Sequence, residues 1–183
     1  MNRLAAMAVI VFALAPHVAP AQAQQPYAGF EARPIKAFSD QQIADLKAGR
    51  GMGLALAAEL NGYPGPVHVI ELAEPLGLSE TQRAKMQTLF EAMKAETVSL
   101  GEKLIAEEAA LDRQFAGKTI TETSLTATMQ AIGTAQAALR AAHLKYHLAT
   151  AEALTPTQIQ RYAELRGYSG GMQMKHQHGG HRN

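Results

Sequence analysis

The chain has 183 residues, with 17 Lys and Arg against 16 Asp and Glu, and this near balance argues against nucleic acid as its main partner. It contains no cysteine, which excludes disulfides, thiolate metal sites and cysteine catalysis. Aromatic residues make up 5% of the chain, and the abundance of Ala, Leu, Gln, Glu and Lys favours long helices over sheet.

The first residues have the pattern of a secretory signal peptide, at residues 1–23. A positive start at Arg3 precedes an apolar run from Leu4 to Leu14, and Ala21-Gln22-Ala23 is a small-residue cleavage site. The apolar run is shorter than the roughly 18 residues that a membrane-spanning helix needs. We therefore expect an exported, periplasmic protein that is not embedded in the membrane.

The next stretches predict a leader followed by an extra helix. Residues 24–38 lack periodicity and read as a flexible leader. Ser39 and Gln42 have the spacing of a capping box, which predicts an N-terminal helix within 39–62, from about Asp40 to Leu60. Its Gly-Arg-Gly-Met-Gly segment is not preceded by a strand and lacks the spacing of a phosphate-binding loop, so it does not predict a nucleotide site.

A short helix from about Val67 to Glu74 should come next, between the Asn61–Pro66 break and Pro75. Capping boxes then predict further helix starts at Ser79 with Gln82 and at Thr155 with Gln158. The predicted helices run over 80–115, from Thr121 or Thr123 to 152, and over 156–166.

Few residues join the two longest of these helices, so they should form an antiparallel hairpin. The predicted fold is all-α: a hooked antiparallel hairpin of two long helices with shorter flanking helices, over residues 66–168, plus the extra N-terminal helix. Residues 169–183 form a Met- and His-rich tail that should be disordered on its own.

Two histidines, His143 and His147, are four residues apart and share one face of the second long helix. They can present two imidazoles to one metal ion, or they can be ordinary interior residues. With the hairpin turning at Lys118, His143 should lie opposite Met93 and His147 opposite Leu89. Glu91 falls between those levels, and the helix that carries His68 should pack near the same open end.

The tail concentrates thioether and imidazole groups in a short segment. Such a composition suits low-affinity capture of metals such as copper or nickel. The tail ligands that we single out are Met172, Met174, His176, His178 and His181.

The segments Leu78-Ser79-Glu80-Thr81-Gln82 and Leu154-Thr155-Pro156-Thr157-Gln158 each open a helix, on either side of a long hairpin. In this the chain resembles the LTxxQ-motif family of periplasmic proteins, which groups Spy- and CpxP-like chaperones with ZraP-like and CnrX-like heavy-metal proteins. The resemblance covers about residues 67–167. It implies a hooked four-helix hairpin that is commonly a homodimer.

Within the CnrX-like branch, the resemblance implies metal ligands at His68, Glu91 and the pair His143 and His147. The chain departs from that pattern because Leu72 replaces a second histidine of the first helix, and because His147 stands where a methionine is expected. An all-imidazole pair favours a divalent transition metal such as zinc, nickel, cobalt or copper.

Two functions follow as expectations. The first is a metal-binding protein that acts in heavy-metal sensing, buffering or resistance, and that signals through a separate membrane-bound protein. The second is an ATP-independent chaperone or envelope-stress adaptor that binds unfolded client proteins. An enzyme is not expected, since the sequence has neither a recognisable nucleophile triad nor the glutamate that follows the first histidine in zinc proteases.

Overall fold

A computed structural model describes residues 27–168, and this part of the chain is helical without any strand. The predicted signal peptide at 1–23 and the predicted tail at 169–183 lie outside the described residues. The helices are α1 (Asp40–Lys47), α2 (Leu56–Glu59), α3 (Pro66–Glu71), α4 (Glu80–Ala116), α5 (Glu122–Glu152) and α6 (Pro156–Leu165). None of the helices in 27–168 is long and apolar enough to cross a membrane.

Helices α4 and α5 pack against each other as the predicted antiparallel hairpin. The predicted register was wrong, however, because Lys145 Nζ meets Glu96 Oε2 at 2.6 Å rather than lying at the level of Glu91. Two causes add up. The turn between Ala116 and Glu122 is centred after Lys118, and side chains on each helix lean toward its own N-terminus, so residues that touch across an antiparallel pair are offset.

The two LTxxQ-type segments hold the hook end of the hairpin together. Leu78 and Leu154 are buried in one apolar cluster, while Ser79 and Thr155 cap α4 and α6 as predicted. Gln82 and Gln158 complete these capping boxes and also bond to each other, since Gln82 Nε2 donates to Gln158 Oε1 over 2.9 Å and Gln158 Nε2 donates to Gln82 Oε1 over 3.1 Å. Each segment therefore starts a helix, and the paired glutamines join the start of α4 to the start of α6.

A second apolar cluster lies nearer the middle of the hairpin and includes the N-terminal part of the chain. Leu46 of α1 is 2% exposed and packs with Leu104 of α4 and Leu139 of α5. At Gly101 of α4 the backbone of α1 comes so close that an added Cβ would lie 2.5 Å from the carbonyl oxygen of Leu46. The extra N-terminal helix is thus part of the same packed unit as the hairpin.

The prediction of one continuous helix from Asp40 to Leu60 was wrong in its middle. Helix α1 ends at Lys47, and the chain does not become helical again until Leu56. Gly49 and Gly53 adopt φ values of 67° and 81°, which end a right-handed helix and which side chains with a Cβ rarely tolerate. A Cβ at Gly49 would also lie 2.7 Å from Thr97 Oγ1, so glycine lets this loop pass close to α4.

Residues 27–38, the described part of the predicted flexible leader, make specific contacts. They contain a 3₁₀ turn at Phe30–Ala32 and bury Ile35, which is 7% exposed. Lys36 Nζ lies 3.2 Å from Asp112 Oδ2 on α4. This segment therefore packs along the hairpin toward its turn.

Candidate functional site

A cleft of about 530 Å³ opens between the loop that follows α1, the start of α3 and the facing sides of α4 and α5. The loop glycines form one wall, and Phe90 and Met93 of α4 line another. His68, His143 and His147 all line this cleft. The structure therefore brings three of the four predicted metal ligands to one place.

His143 is a buried imidazole that lines the cleft. Its side chain is 2% exposed, and Nε2 has no hydrogen-bond partner within the described residues. Burial lowers the pKa of His143 below its ordinary value of 6.5, and the charge of nearby His147 lowers this pKa further. The ring is consequently neutral at pH 7, which is the form that binds a metal ion.

His147 is held in one tautomer by the segment that precedes α3. Its Nδ1 donates to the Tyr63 carbonyl oxygen over 2.7 Å, so in the neutral ring Nε2 carries the lone pair. Gly65 lies close to the ring, and a Cβ there would be 2.9 Å from Nε2. Metal-binding histidines in proteins commonly have this arrangement, in which one ring nitrogen is fixed by a backbone carbonyl and the other is left as the donor.

Glu59 is a buried carboxylate beside this histidine, and it was not among the residues predicted from the sequence. It is 8% exposed, and its Oε2 accepts from the Gly65 amide over 3.2 Å and lies 3.7 Å from His147 Nδ1. Its Oε1 accepts a short hydrogen bond from the Tyr162 hydroxyl. Burial and this contact with Glu59 raise the pKa of Tyr162 far above its ordinary value. Glu59 thus joins α2, the Gly65 turn and α6 behind His147.

The other predicted ligands differ in their placement. His68 lines the cleft, but its Nδ1 lies 3.0 Å from Glu71 Oε2 of its own helix. Glu91 is exposed, accepts from Gln87 Nε2 over 2.8 Å and is absent from the cleft lining. It is two residues, or about 200° around α4, from Met93, which lines the cleft. The predicted tail ligands, residues 172–181, lie outside the described residues.

The cleft is not a preformed metal cage. No group of three or more His, Asp or Glu side chains within residues 27–168 has the spacing to hold a metal ion. The cleft contains a pair of imidazoles on one face of α5. One has an Nε2 with no partner in the part of the chain that the structure describes, and the other is fixed by a backbone carbonyl. This donor pair suits a divalent transition metal that takes its remaining ligands from elsewhere.

The burial of His143 predicts a pH-dependent stability in metal-free protein. The unfolded histidine takes up its proton near pH 6.5, whereas the folded one does so only at lower pH, so the unfolded state holds more protons between these two pKa values. The free energy of unfolding should therefore fall as the pH drops through 6.5 toward the folded pKa. Urea unfolding with EDTA across this range measures the slope. A His143→Gln variant should show a flatter slope, and an equal slope would contradict the prediction.

Comparison with known proteins identifies the family of the chain. The sequence model of a family described as heavy-metal resistance matches residues 51–161, a range that includes most of the cleft lining, both LTxxQ-type segments and His68, His143 and His147. No match was found among curated proteins, nor among solved structures. Since the family match covers more than half of the chain, the protein belongs to the family of LTxxQ-type heavy-metal resistance proteins.

Proposed function

We propose that this chain is a periplasmic metal-binding protein that acts in the sensing or buffering of a heavy metal. The observation that carries the proposal is the pair of buried imidazoles in one cleft. His143 Nε2 has no partner among residues 27–168, and His147 Nδ1 donates to the Tyr63 carbonyl. The membership of a heavy-metal resistance family supports the same conclusion. A leading segment with the pattern of a signal peptide supports export.

The proposed ligands are His143 and His147, with His68 as the nearest further imidazole in the cleft lining. Neutral imidazoles favour zinc, nickel, cobalt or copper(II) over the hard cations calcium and magnesium. Met93 also lines the cleft and offers a thioether that would suit a softer ion. Glu91, which lies outside the cleft, has no part in this set.

The test is calorimetric titration of the exported form of the protein with Zn²⁺, Ni²⁺, Co²⁺ and Cu²⁺, paired with NMR of the imidazole nitrogens. We expect one of these ions to shift the ring signals of His143 and His147. The double variant His143→Ala, His147→Ala should bind that ion at least about 100-fold more weakly, since losing only a hydrogen-bond partner of a metal ligand already costs about 10- to 100-fold. Glu91→Ala is the matched control and should bind like the wild type. Undisturbed ring signals with all four ions would overturn the proposed site.

A second candidate function is binding of unfolded client proteins. Four large apolar side chains around α2 are exposed to solvent. They are Met52 at 43% exposed, Leu56 and Leu60 each at 54%, and Tyr63 at 43%. Apolar surface of this kind is typical of protein-binding sites. This surface would bind unfolded clients, a second copy of the chain in a homodimer, or a membrane-bound signalling protein.

Light scattering of a denatured client separates the two functions. Suppression of aggregation without metal, lost in a Leu56→Ser, Leu60→Ser variant, would favour the chaperone function. Protein that leaves aggregation unchanged yet binds metal at His143 and His147 would favour sensing or buffering.

A further inference from the structure

Two methionines line the same cleft as the histidine pair. Met93 belongs to α4 and is 7% exposed, whereas Met52 belongs to the loop between α1 and α2 and is 43% exposed. Within residues 27–168 no three His, Asp or Glu side chains are grouped to hold an ion, so further ligands in the cleft must be of another kind. With His143 and His147, the two thioethers give the cleft lining four donor groups that are all neutral.

Met93 lies at the level of His147 along the hairpin. Lys145 Nζ lies 2.6 Å from Glu96 Oε2. Because α4 and α5 are antiparallel, two residues further along α5, at His147, correspond to two residues back along α4, at Lys94, which is next to Met93. Met93 and His147 also both line the cleft, so they agree in level and in the side to which they turn.

The loop brings Met52 close to the other histidine. A Cβ at Gly51 would lie 3.7 Å from His143 Nδ1, so the residue before Met52 passes directly beside that ring. Met52 itself adopts a φ of 43°, a conformation that residues with a Cβ seldom adopt. Glycine or asparagine would fit this backbone at less cost, and strain of this kind is often found where a side chain has a function.

Among the described residues, the cleft lining contains one carboxylate, Glu59, and it is already bonded to protein groups. Its oxygens accept from the Gly65 amide and the Tyr162 hydroxyl. Its Oε2 lies 3.7 Å from His147 Nδ1, the ring nitrogen that donates to the Tyr63 carbonyl and is therefore not the metal donor. An ion in the cleft would thus be held by neutral groups.

The charge of the cleft lining favours an ion of low charge. Arg50 and Lys94 both line the cleft, and Arg50 Nη1 is paired with Asp45 Oδ1 at 2.5 Å. An ion held by neutral donors keeps its whole charge, and a nearby lysine repels a divalent ion more strongly than a monovalent one. Thioethers are soft ligands that select copper(I), and imidazoles suit copper as well.

We propose that the histidine pair in the cleft selects copper(I), with the thioethers of Met93 and Met52 as its further ligands. This inference rests on the proposed function, because His143 and His147 are the same two imidazoles. It adds the charge of the ion and two ligands. His68, whose Nδ1 lies 3.0 Å from a glutamate oxygen of its own helix, is outside this set. Divalent ions would still bind the imidazoles, but more weakly than copper(I).

The test is competition for copper(I) with the chromogenic chelator bicinchoninate, with ascorbate as reductant and without oxygen. The protein is the exported chain in which the methionines and histidines between residues 172 and 181 are replaced by leucine and alanine, so that the tail does not contribute. We expect one copper(I) per chain, bound more tightly than Zn²⁺ or Ni²⁺. Met93→Leu and Met52→Leu should each bind copper(I) at least about tenfold more weakly, since losing only a hydrogen-bond partner of a ligand already costs about that much.

Two other methionines are matched controls. Met86 is buried on α4 like Met93, and Met129 is 48% exposed, close to the value for Met52, but neither lines the cleft. Met86→Leu and Met129→Leu should bind copper(I) like the parent chain. X-ray absorption adds a measurement that a merely structural role would not change. It should show sulfur bonded to copper in the parent chain, and this signal should be lost in the double variant Met93→Leu, Met52→Leu.

The possible results separate this inference from the proposed function. Equal copper(I) binding in all four single variants, no sulfur bonded to copper, or tighter binding of Zn²⁺ or Ni²⁺ would each overturn the copper(I) inference. The proposed site would still stand in those cases, provided that an ion shifts the ring signals of His143 and His147. Ring signals that neither copper(I) nor any of the four divalent ions shifts would overturn both.

Discussion

Replacing Gly101 by alanine should destabilise the protein by about 2 kcal/mol, in the range for overpacking a close contact. The added methyl would lie 2.5 Å from the Leu46 carbonyl oxygen and 3.0 Å from its carbonyl carbon, and neither backbone atom can move without shifting α1 away from α4. Alanine has a higher helix propensity than glycine, which offsets part of the destabilisation, so the expected loss of about 2 kcal/mol is the net loss in the free energy of unfolding. The midpoint of urea unfolding measures the effect.

Gly133 is the matched control because it is also an interior glycine of a long helix. Nothing lies within 4 Å of a Cβ placed at Gly133, so Gly133→Ala should stabilise the protein by about 1 kcal/mol. Hydrogen exchange should show faster opening of α1 in Gly101→Ala and not in Gly133→Ala. If both substitutions stabilised the protein equally, the close packing of α1 on α4 would be refuted.

Replacing Glu59 by alanine should cost about 3 kcal/mol of stability, as expected for removing one partner of a buried polar network. The Tyr162 hydroxyl and the Gly65 amide would both lose a buried acceptor. Tyr162 is 2% exposed, so water cannot readily replace that acceptor. Metal binding should weaken as well, because the Tyr63–Gly65 segment that orients His147 would loosen.

Glu91→Ala is the control for Glu59→Ala, since Glu91 is exposed and bonds only to Gln87 among the described residues. Its stability should stay within about 0.5 kcal/mol of the wild type, which is usual for surface positions. The midpoints of urea unfolding of Glu59→Ala and Glu91→Ala measure the difference in stability. Equal midpoints for both variants would show that Glu59 does not hold this end of the fold.

Local signals in the sequence predicted the helices well wherever a start signal was present. The capping boxes at Ser39, Ser79 and Thr155 each begin a helix where predicted, because a cap is a contact between residues three apart and needs no distant partner. The prediction failed between Lys47 and Leu56, where the chain is not helical. The positive φ values of Gly49 and Gly53 end the helix there, and the loop passes close to Thr97. The contact with Thr97 joins residues far apart in the sequence, so no local pattern predicts it.

The candidate site was predicted in part for a similar reason. His143 and His147 share a helix face by their spacing alone. Glu91 was predicted from its level along the hairpin, but a ligand must also lie on the face of α4 that lines the cleft. Each residue advances a helix by about 100°, so Glu91 lies about 200° around α4 from Met93, which lines the cleft. Glu59 could have been noticed as a lone carboxylate among Leu56, Ala57, Ala58 and Leu60, but its partners are far along the chain.

The sequence by itself determined that this protein is an α-helical hairpin with two LTxxQ-type helix starts and a histidine pair on one helix face, because these features depend on neighbours a few residues apart. Only the tertiary structure decided that Glu59, Tyr162 and Tyr168 meet behind His147, and that α1 closes onto Gly101. Those contacts join residues from 55 to 109 positions apart, and packing of whole helices, which no local pattern encodes, sets them.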